Sequence, residues 1–138
     1  MKRHNRQFGE LEYEADHVYR FPEGVIGFEH LRDFLIIDDE DSQPFRWLVS
    51  LEDADLCFPL IHPSLVVGPY DVPVSYDATV FLVAILNEHP EQSTVNLRAP
   101  IVINTAERTG RQVILDNDTL SVQHRLFPPV KATGEGAC

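Results

Sequence analysis

The sequence predicts an all-β fold: a small, single-domain, β-barrel-like protein of short antiparallel strands with little helix. About eight short apolar segments recur along the chain at fairly regular spacing, which is typical of small barrels and sandwiches. Ten prolines and seven glycines punctuate these segments, as the turns between strands require. With 138 residues, the chain is long enough for one domain to bury a core of its own.

The N-terminal third predicts a strand, a turn marked by glycines and a second strand. Alternating acidic and apolar residues from position 8 onward (F-G-E-L-E-Y-E-A) predict a half-buried strand with one wet, acidic face. In the following F-P-E-G-V-I-G-F stretch, proline and the first glycine predict a turn, and Gly27 predicts another unusual backbone conformation. Apolar side chains at three-residue spacing predict one or two helical turns over residues 29–34, before a short strand at 34–37.

The middle of the chain predicts a hairpin and a central strand. Residues 45–51 (F-R-W-L-V-S-L) and 56–61 (L-C-F-P-L-I) flank an E-D-A-D turn, which predicts an antiparallel pair. Pro59 indicates an edge or a bulge, because proline has no N–H to donate to a ladder. Residues 80–86 (V-F-L-V-A-I-L) lack polar alternation, so we expect a strand that is buried on both faces.

Like Pro59, Pro100 interrupts an apolar run, here N-L-R-A-P-I-V-I-N at residues 96–104. Its period of two predicts a strand, and Pro100 predicts that this strand is an edge, either an ordinary one or one kept open for another protein. A turn with Gly110 in a left-handed conformation then returns the chain along residues 112–116. Residues 128–138 read as a disordered tail that follows a folded domain at 1–127.

The net charge of −11 is concentrated in one region. Residues 10–55 hold 14 acidic and 3 basic side chains, whereas residues 1–9 carry a charge of +3. The ordinary interpretation is a solvated face that keeps the protein soluble; the functional one is attraction of a basic partner or repulsion of a polyanion. Direct binding of nucleic acid is disfavoured, because phosphate contacts need a basic surface and this protein is acidic. Arg98, Arg108 and Arg111 lie near one predicted hairpin, but no aromatic side chains are interleaved with them.

Apolar runs and cysteines indicate the compartment. The longest apolar run, residues 80–86, is far shorter than the ~20 residues that a membrane-spanning helix needs. No apolar stretch follows the basic N-terminus, as it would in a secretion signal. Cys57 lies in an apolar segment and Cys138 in the tail, so we expect no disulfide and a reducing compartment. These features predict a cytoplasmic protein without membrane contact.

Motif searches favour neither an enzyme nor a metal or cofactor site. The six histidines form no H-E-x-x-H pattern, and Cys57 with His62 lacks the second pair of a zinc site. There is no G-x-S-x-G elbow and no phosphate-binding glycine loop. The acidic run at residues 38–41 lacks the glycine turn and closing acid of a calcium loop, so a solvated loop is the simpler interpretation.

Four segments, in this order and spacing, resemble the FliW family of flagellar assembly factors. They are F-G-E-L-E-Y, F-P-E-G-V-I-G-F-E-H-L, F-R-W-L-V-S-L-E-D, and N-L-R-A-P-I-V-I-N with its return strand R-T-G-R-Q-V-I-L-D. The resemblance covers about residues 8 to 116. It implies a β-barrel-like fold, no catalytic activity and a chaperone-like, regulatory role in the bacterial cytoplasm.

The resemblance also implies two alternative protein partners. One is flagellin, bound before its export; the other is the carbon storage regulator CsrA, a small RNA-binding dimer that represses flagellin translation. Family members dock on a C-terminal extension of CsrA and act allosterically, so this chain would relieve repression once flagellin has been secreted. A longer acidic segment of the family is shortened here to residues 71–79.

Motif matching assigns six residues to a partner-binding surface: Asn96, Leu97, Ala99, Pro100, Ile103 and Asn104. Phe45 and Trp47 are further candidates, as part of an aromatic binding surface. The expected mode is docking at a strand edge with apolar anchors, while asparagine side chains bond exposed backbone groups. Core packing is the alternative for Leu97, Ile103, Phe45 and Trp47. We expect a monomer. The alternative function is a small-ligand-binding barrel, or an enzyme that uses a cavity between its sheets.

Overall fold

The computed structural model describes residues 1–72 and 78–126, which contain eleven strands and four short 3-10 helices. The strands are β1 (Lys2–Asn5), β2 (Gly9–Glu12), β3 (Tyr19–Arg20), β4 (Asp33–Asp38), β5 (Arg46–Ser50), β6 (Cys57–Ile61), β7 (Thr79–Ile85), β8 (Thr94–Val95), β9 (Ile101–Asn104), β10 (Thr109–Gln112) and β11 (His124–Arg125). The 3-10 helices are Ala15–His17, Glu40–Ser42, Pro63–Leu65 and Pro90–Gln92. The predicted tail at 128–138, the domain boundary at residue 127 and most of the shortened segment at 71–79 lie outside the described residues.

Seven strands close into a barrel, which confirms the predicted fold class. Their order is β3, β4, β5, β6, β7, β9 and β10, and β10 returns to β3. Every neighbouring pair is antiparallel except β10 with β3. At its C-terminal end β7 also pairs with β8, which in turn pairs with β11, while β1 and β2 form a separate hairpin.

Two apolar cores hold the barrel together. The first fills its interior with inward side chains from the strands and from the F-P-E-G-V-I-G-F loop: Tyr19, Phe21, Val25, Leu31, Phe34, Leu48, Leu60, Phe81, Ile101 and Ile103. The second lies on the outer face of β6 and β7 and comprises Ile61, Leu82, Ala84, Val95, Leu97 and Leu126. The sheet is therefore covered on both faces along most of β7, as its unalternating sequence predicts. The prediction fails at its end, where Ile85 and Leu86 are 65% and 41% exposed.

The N-terminal hairpin packs against the outer face of β5. The Phe8 ring meets the Trp47 ring edge-on with 5.8 Å between centroids, and the Arg6 N–H donates to the Ala54 carbonyl oxygen at 2.8 Å. Asn5 is buried, and its Oδ1 accepts from the N–H groups of the turn that joins β1 to β2. β1 was not predicted from the sequence because its K-R-H-N residues show no apolar alternation.

The strands predicted at 34–37, 45–51, 56–61 and 80–86 are confirmed as β4 to β7. The helical turns predicted over residues 29–34 are wrong. Two successive turns form over residues 25–31 instead, closed by bonds from the Phe28 N–H to the Val25 carbonyl oxygen and from the Leu31 N–H to the Phe28 carbonyl oxygen. The chain then enters β4 directly.

Glycine conformations were predicted correctly at one turn and wrongly at another. Gly24 and Gly27 adopt φ angles of 69° and 89°, as the F-P-E-G-V-I-G-F turn predicts. In the turn between β9 and β10 the left-handed residue is Arg108, with φ of 56°, and not Gly110. Gly110 is a strand residue instead, and it is small for a packing reason. A Cβ there would lie 2.3 Å from Cζ of Phe21, so glycine leaves the space that this ring occupies.

Candidate partner-binding surface

The run N-L-R-A-P-I-V-I-N is not a strand edge, so that prediction is wrong. β9 pairs with β10 on one side and with β7 on the other. β8 lies beside the same strand: Ala84 faces Val95, and Phe81 faces Ile101. Phe81 and Ala84 are three residues apart on β7, whereas their partners Ile101 and Val95 are six residues apart. The extra residues between β8 and β9 form a bulge. Pro100 is fully buried at the end of this bulge, just before β9 begins, where the ladder needs no N–H.

Both asparagines of the run shape the backbone locally. Oδ1 of Asn96 accepts from the N–H groups of Arg98 and Ala99 at 2.9 and 3.2 Å, which stabilises the bulge. Oδ1 of Asn104 accepts from the Glu107 N–H at 3.0 Å, and its Nδ2 donates to the Glu107 carboxylate at 3.1 Å. These bonds satisfy turn backbone groups that have no ladder partner.

The eight candidate residues do not form one surface. Five are buried: Leu97, Ala99, Pro100, Ile103 and Trp47. Trp47 also donates from Nε1 to Oγ of Ser42 at 2.8 Å. Partly exposed side chains remain at Asn96, Asn104 and Phe45, and these lie in three different places: the bulge, the turn after β9, and the margin of the second core. The role of the eight residues in partner binding stays a prediction.

One glutamine connects two of the four segments that carry the resemblance, the F-P-E-G-V-I-G-F loop and the N-L-R-A-P-I-V-I-N run with its return strand. Oε1 of Gln112 accepts from the Ile26 N–H at 2.8 Å, and its Nε2 donates to the Ala99 carbonyl oxygen at 2.9 Å. With the contact between Gly110 and Phe21, this joins the F-P-E-G-V-I-G-F loop, the R-T-G-R-Q strand and the N-L-R-A-P bulge. These contacts fix the relative positions of the segments in the fold.

Of the three partly exposed residues, Asn104 lines a cavity. It has a volume of about 310 Å³ and is lined by Pro22, Glu23, Ala78, Val102, Asn104, Glu107, Thr109, Gly110 and Arg111. We call it the Asn104 cavity. The motif assignment missed Glu23 and Glu107. The available signal was the co-occurrence of F-P-E-G and R-T-G-R, which the parallel pairing of β10 with β3 brings to one wall.

The three arginines considered for phosphate contact do not converge. Arg98 donates to the carbonyl oxygens of Leu120 and Asp118 at 3.2 Å each. Arg108 stacks on Tyr19 with 4.1 Å from its guanidinium carbon to the ring centroid. Arg111 is exposed at the Asn104 cavity. Their separate engagements do not create the basic footprint that nucleic-acid binding requires.

The acidic surface is partly neutralised by the N-terminal hairpin. Lys2 lies 3.4 and 3.6 Å from the carboxylates of Glu10 and Glu12, and Arg6 lies 3.8 Å from that of Asp55. Within residues 1–72 and 78–126, none of the carboxylates at 38–41 forms an ion pair. The loop therefore presents unneutralised negative charge to solvent.

Burial suppresses the ionisation of the two strongly shifted groups. It raises the pKa of the Cys57 thiol to about 11 and the pKa of Tyr70 to about 12. The Tyr70 hydroxyl donates to the Leu97 carbonyl oxygen. Over the described ranges, no three His, Cys, Asp or Glu side chains are grouped as metal ligands, and no helix there is long and apolar enough to cross a membrane.

Comparison with known proteins identifies the family. The family model described as FliW protein matches residues 2–126. The chain is 38% identical to the flagellar assembly factor FliW of Thermosipho africanus, over 90% of this chain and 94% of that protein. It is 34% identical to the FliW of Thermotoga maritima, over 91% and 93%. A crystal structure of the flagellar assembly factor FliW superposes with a TM-score of 0.85 at 30% identity and covers 94% of this chain and 99% of the other. The chain belongs to the FliW family of flagellar assembly factors.

Proposed function

We propose that this chain acts in the bacterial cytoplasm as a monomeric, non-catalytic factor that binds CsrA and flagellin as alternative partners. Binding to CsrA relieves its repression of flagellin translation, and binding to flagellin occupies the factor until flagellin is exported. The observation that carries the proposal is the family match, which extends over residues 2–126 and therefore over the whole barrel.

The acidic surface supports a basic partner such as an RNA-binding protein. The carboxylates at 38–41 are free of ion pairs among the described residues, and they belong to the region 10–55, whose net charge is −11. Such a surface attracts a basic protein over long range and repels RNA phosphates. Attraction of this kind weakens with salt, because the Debye length falls from about 10 Å at 0.1 M to about 3 Å at 1 M.

The Asn104 cavity is the proposed contact within the N-L-R-A-P-I-V-I-N region. It exposes the polar side chains of Asn104, Glu107 and Arg111 beside Val102, so it offers a polar rim around an apolar floor. Asn96 and Phe45 are secondary contacts. The buried members of the assigned set act indirectly, because their packing positions the bulge and β9.

The test is calorimetric titration of the protein with CsrA and with flagellin from the same genome, singly and then together. We expect heat with each partner alone and none from the second partner once the first is saturating. Raising the salt from 0.1 to 1 M should weaken CsrA binding more than flagellin binding. Absence of binding to both partners, with protein shown to be folded, would overturn the proposal and favour the alternative of a small-ligand-binding barrel.

A conservative pair of variants tests the Asn104 cavity. Asn104→Asp keeps the oxygen that accepts from the Glu107 N–H but removes the Nδ2 donor and adds charge to the rim. Asn117→Asp makes the same change at an exposed asparagine that also caps a turn, through its bond to the Thr119 N–H at 3.0 Å. Asn104→Asp also places its new carboxylate beside that of Glu107, so melting curves are used to check that both variants are folded. Weaker partner binding by folded Asn104→Asp alone supports the assignment; equal binding by both variants removes it.

A further inference from the structure

β4 is paired along most of its length on one side only. β5 pairs with all its residues from Phe34 to Asp38, whereas β3 pairs with Asp33 and Phe34 alone. The Leu51 N–H donates to the Asp33 carbonyl oxygen at 3.0 Å, so residue 33 and every second residue after it point to β5. The backbone groups of Ile36 and Asp38 therefore point away from β5, and no described backbone group bonds them there.

The gap arises because β3 has only two residues. Immediately before it, the 3-10 helix Ala15–His17 turns the chain away from the sheet. The His17 N–H donates to Glu14 at 2.9 Å and the Val18 N–H to Ala15 at 3.3 Å, so these groups are bonded locally. The position that a longer β3 would fill beside β4 stays empty.

A cavity of about 430 Å³ occupies this position. We call it the β4 slot. Its lining comprises the edge residues Leu35 to Asp38, then Leu11, Glu12, Tyr13 and His17 on the side of the N-terminal hairpin, and Tyr19, Arg46 and Arg108 on the other. At roughly 3.3 Å per residue, the open part of β4 matches about four residues of an extended chain.

The guanidinium groups of the slot are held by aromatic rings and lack carboxylate partners. The guanidinium carbon of Arg108 lies 4.1 Å from the centroid of Tyr19, and that of Arg46 lies 5.7 Å from the centroid of Phe81. Among residues 1–72 and 78–126, neither lies within 4.0 Å of a carboxylate, and Nε of Arg108 has no hydrogen-bond partner. Stacking on Tyr19 orients the Arg108 guanidinium, whose Nη1 donates to the Tyr19 hydroxyl at 3.0 Å. Its remaining in-plane N–H groups can donate to a carboxylate.

We propose that the β4 slot binds an extended segment of a partner protein, which adds a strand to β4 and places an Asp or Glu side chain against Arg46 and Arg108. Backbone pairing with Ile36 and Asp38 supplies the register, and the guanidinium pair selects the acidic residue. Two carboxylates also line the slot: Glu12 is paired with Lys2 at 3.6 Å, and Asp38 accepts a hydrogen bond from the Gln43 side chain. The slot's preference for an acidic segment differs from the attraction of a basic partner that the neighbouring carboxylates at 39–41 provide. It goes beyond the proposed function, since it holds for any partner that carries such a segment.

The test is selection of heptapeptides from a phage library, with each peptide fused through its C-terminus so that every carboxylate comes from a side chain. We expect enrichment of Asp or Glu between β-branched residues. In a nitrogen-15 NMR titration, a selected peptide should shift the amides of Ile36 and Asp38. Replacing its acidic residue with the matching amide should weaken binding at least tenfold.

Three variants locate the interaction, and a fourth is the control. Arg46→Gln and Arg108→Gln should each weaken peptide binding at least tenfold, while Arg125→Gln, at an exposed position on β11, should not. Asp38→Pro removes a slot-facing N–H without removing a bond to β5, and should also weaken binding. Melting curves check that each variant is folded, and Arg46 is exposed, so its replacement disturbs no core.

Several results would overturn the proposal. They are a library that yields no binder, binders without acidic residues, amides at 36 and 38 that do not shift, or unchanged affinity in both arginine variants. A second library with free peptide C-termini distinguishes the carboxylate source. Binders found only there would assign the slot to a chain terminus and refute the side-chain preference.

Discussion

β9 and β4 are both short apolar strands of the same barrel, yet their edges differ. β9 directly follows Pro100, the residue that predicts an open edge, and it is paired on both sides. β4 reads as an ordinary strand, and it is open beside Ile36 and Asp38. The difference lies in their neighbours. β7 is seven residues long and spans β9, whereas β3 has two residues and leaves most of β4 uncovered. Whether a strand has an open edge therefore depends on the length of the strand beside it.

Pro59 supports the same conclusion. The Ser50 N–H donates to the Leu56 carbonyl oxygen at 3.2 Å, so alternate residues from Leu56 onward point to β5 and Pro59 points to β7. There the β6–β7 ladder comprises only Leu60 and Ile61. The proline thus stands just beyond the end of a ladder, as Pro100 does, and in neither case does it mark an open binding edge.

The largest expected effect comes from the closed strand. Ile103→Ala removes a side chain that is 1% exposed inside the barrel, and we expect it to lower the free energy of unfolding by about 2–5 kcal/mol. Ile37→Ala on the one-sided strand should cost less, because that side chain is only partly buried. Urea denaturation followed by circular dichroism measures both. Equal losses would contradict the difference between the strands.

A second prediction tests the contact that joins β10 to the F-P-E-G-V-I-G-F loop. Gly110→Ala places a Cβ 2.3 Å from the Phe21 ring, which is fully buried and cannot move freely. We expect a loss of about 1–3 kcal/mol from overpacking. Gly68→Ala is the control, since a Cβ there meets nothing within 4 Å. Thermal unfolding of the two variants measures their stabilities. An equal loss of stability in both would indicate an effect of the backbone and not of the contact with Phe21.

The strand pattern of this protein was predictable because it depends on local alternation. β4 to β7 follow from apolar periodicity, and the glycine turn at 24 and 27 follows from residue types that tolerate positive φ. The prediction of helical turns over 29–34 was wrong, because apolar side chains spaced three residues apart are also compatible with two separate hydrogen-bonded turns that face the same core. Gly110 was assigned a left-handed conformation because the sequence contains no information on the approach of Phe21.

The candidate site was less predictable because it depends on non-local pairing. Resemblance identified the right segment, but Asn96 and Asn104 serve turns, and Leu97 and Ile103 serve cores. Whether a proline strand lies at an edge depends on residues far along the chain. The β4 slot has no sequence motif at all, since it results from where β3 ends.

A smaller effect is expected at the bulge that precedes β9. Asn96→Ala removes the acceptor for the N–H groups of Arg98 and Ala99, which are shielded by the surrounding chain, and should cost about 0.5–2 kcal/mol, as the loss of a helix N-cap does. Asn117→Ala removes a similar cap from an exposed turn, where water replaces the lost bonds. Chemical denaturation should therefore separate the two variants; identical midpoints would show that the bulge is not held by its asparagine.

The smallest effect concerns the start of β4, where the Glu52 side chain, and not a neighbouring strand, accepts hydrogen bonds from backbone N–H groups. The Glu52 carboxylate accepts from the N–H groups of Arg32 and Asp33 at 2.7 and 2.8 Å. Partial burial acts to raise the pKa of Glu52, but the hydrogen bonds from Asp33 and Arg32 outweigh it and hold the pKa below its ordinary value. A carboxyl with a lowered folded-state pKa stabilises the protein above its unfolded-state pKa of about 4.3, and this contribution is lost as pH falls through the folded value.

Glu52→Gln should therefore reduce stability by less than about 1 kcal/mol at pH 7, as is usual for exposed charge interactions, and the difference from the parent protein should shrink progressively below about pH 4. Glu91→Gln, on an exposed 3-10 helix, controls for the change in net charge. Melting temperatures of the three proteins from pH 7 to pH 3 give the comparison. A difference that persists at pH 3 would mean that the glutamine disturbs the hydrogen bonds themselves. In that case the beginning of β4 would depend on the geometry of the acceptor and not on its charge.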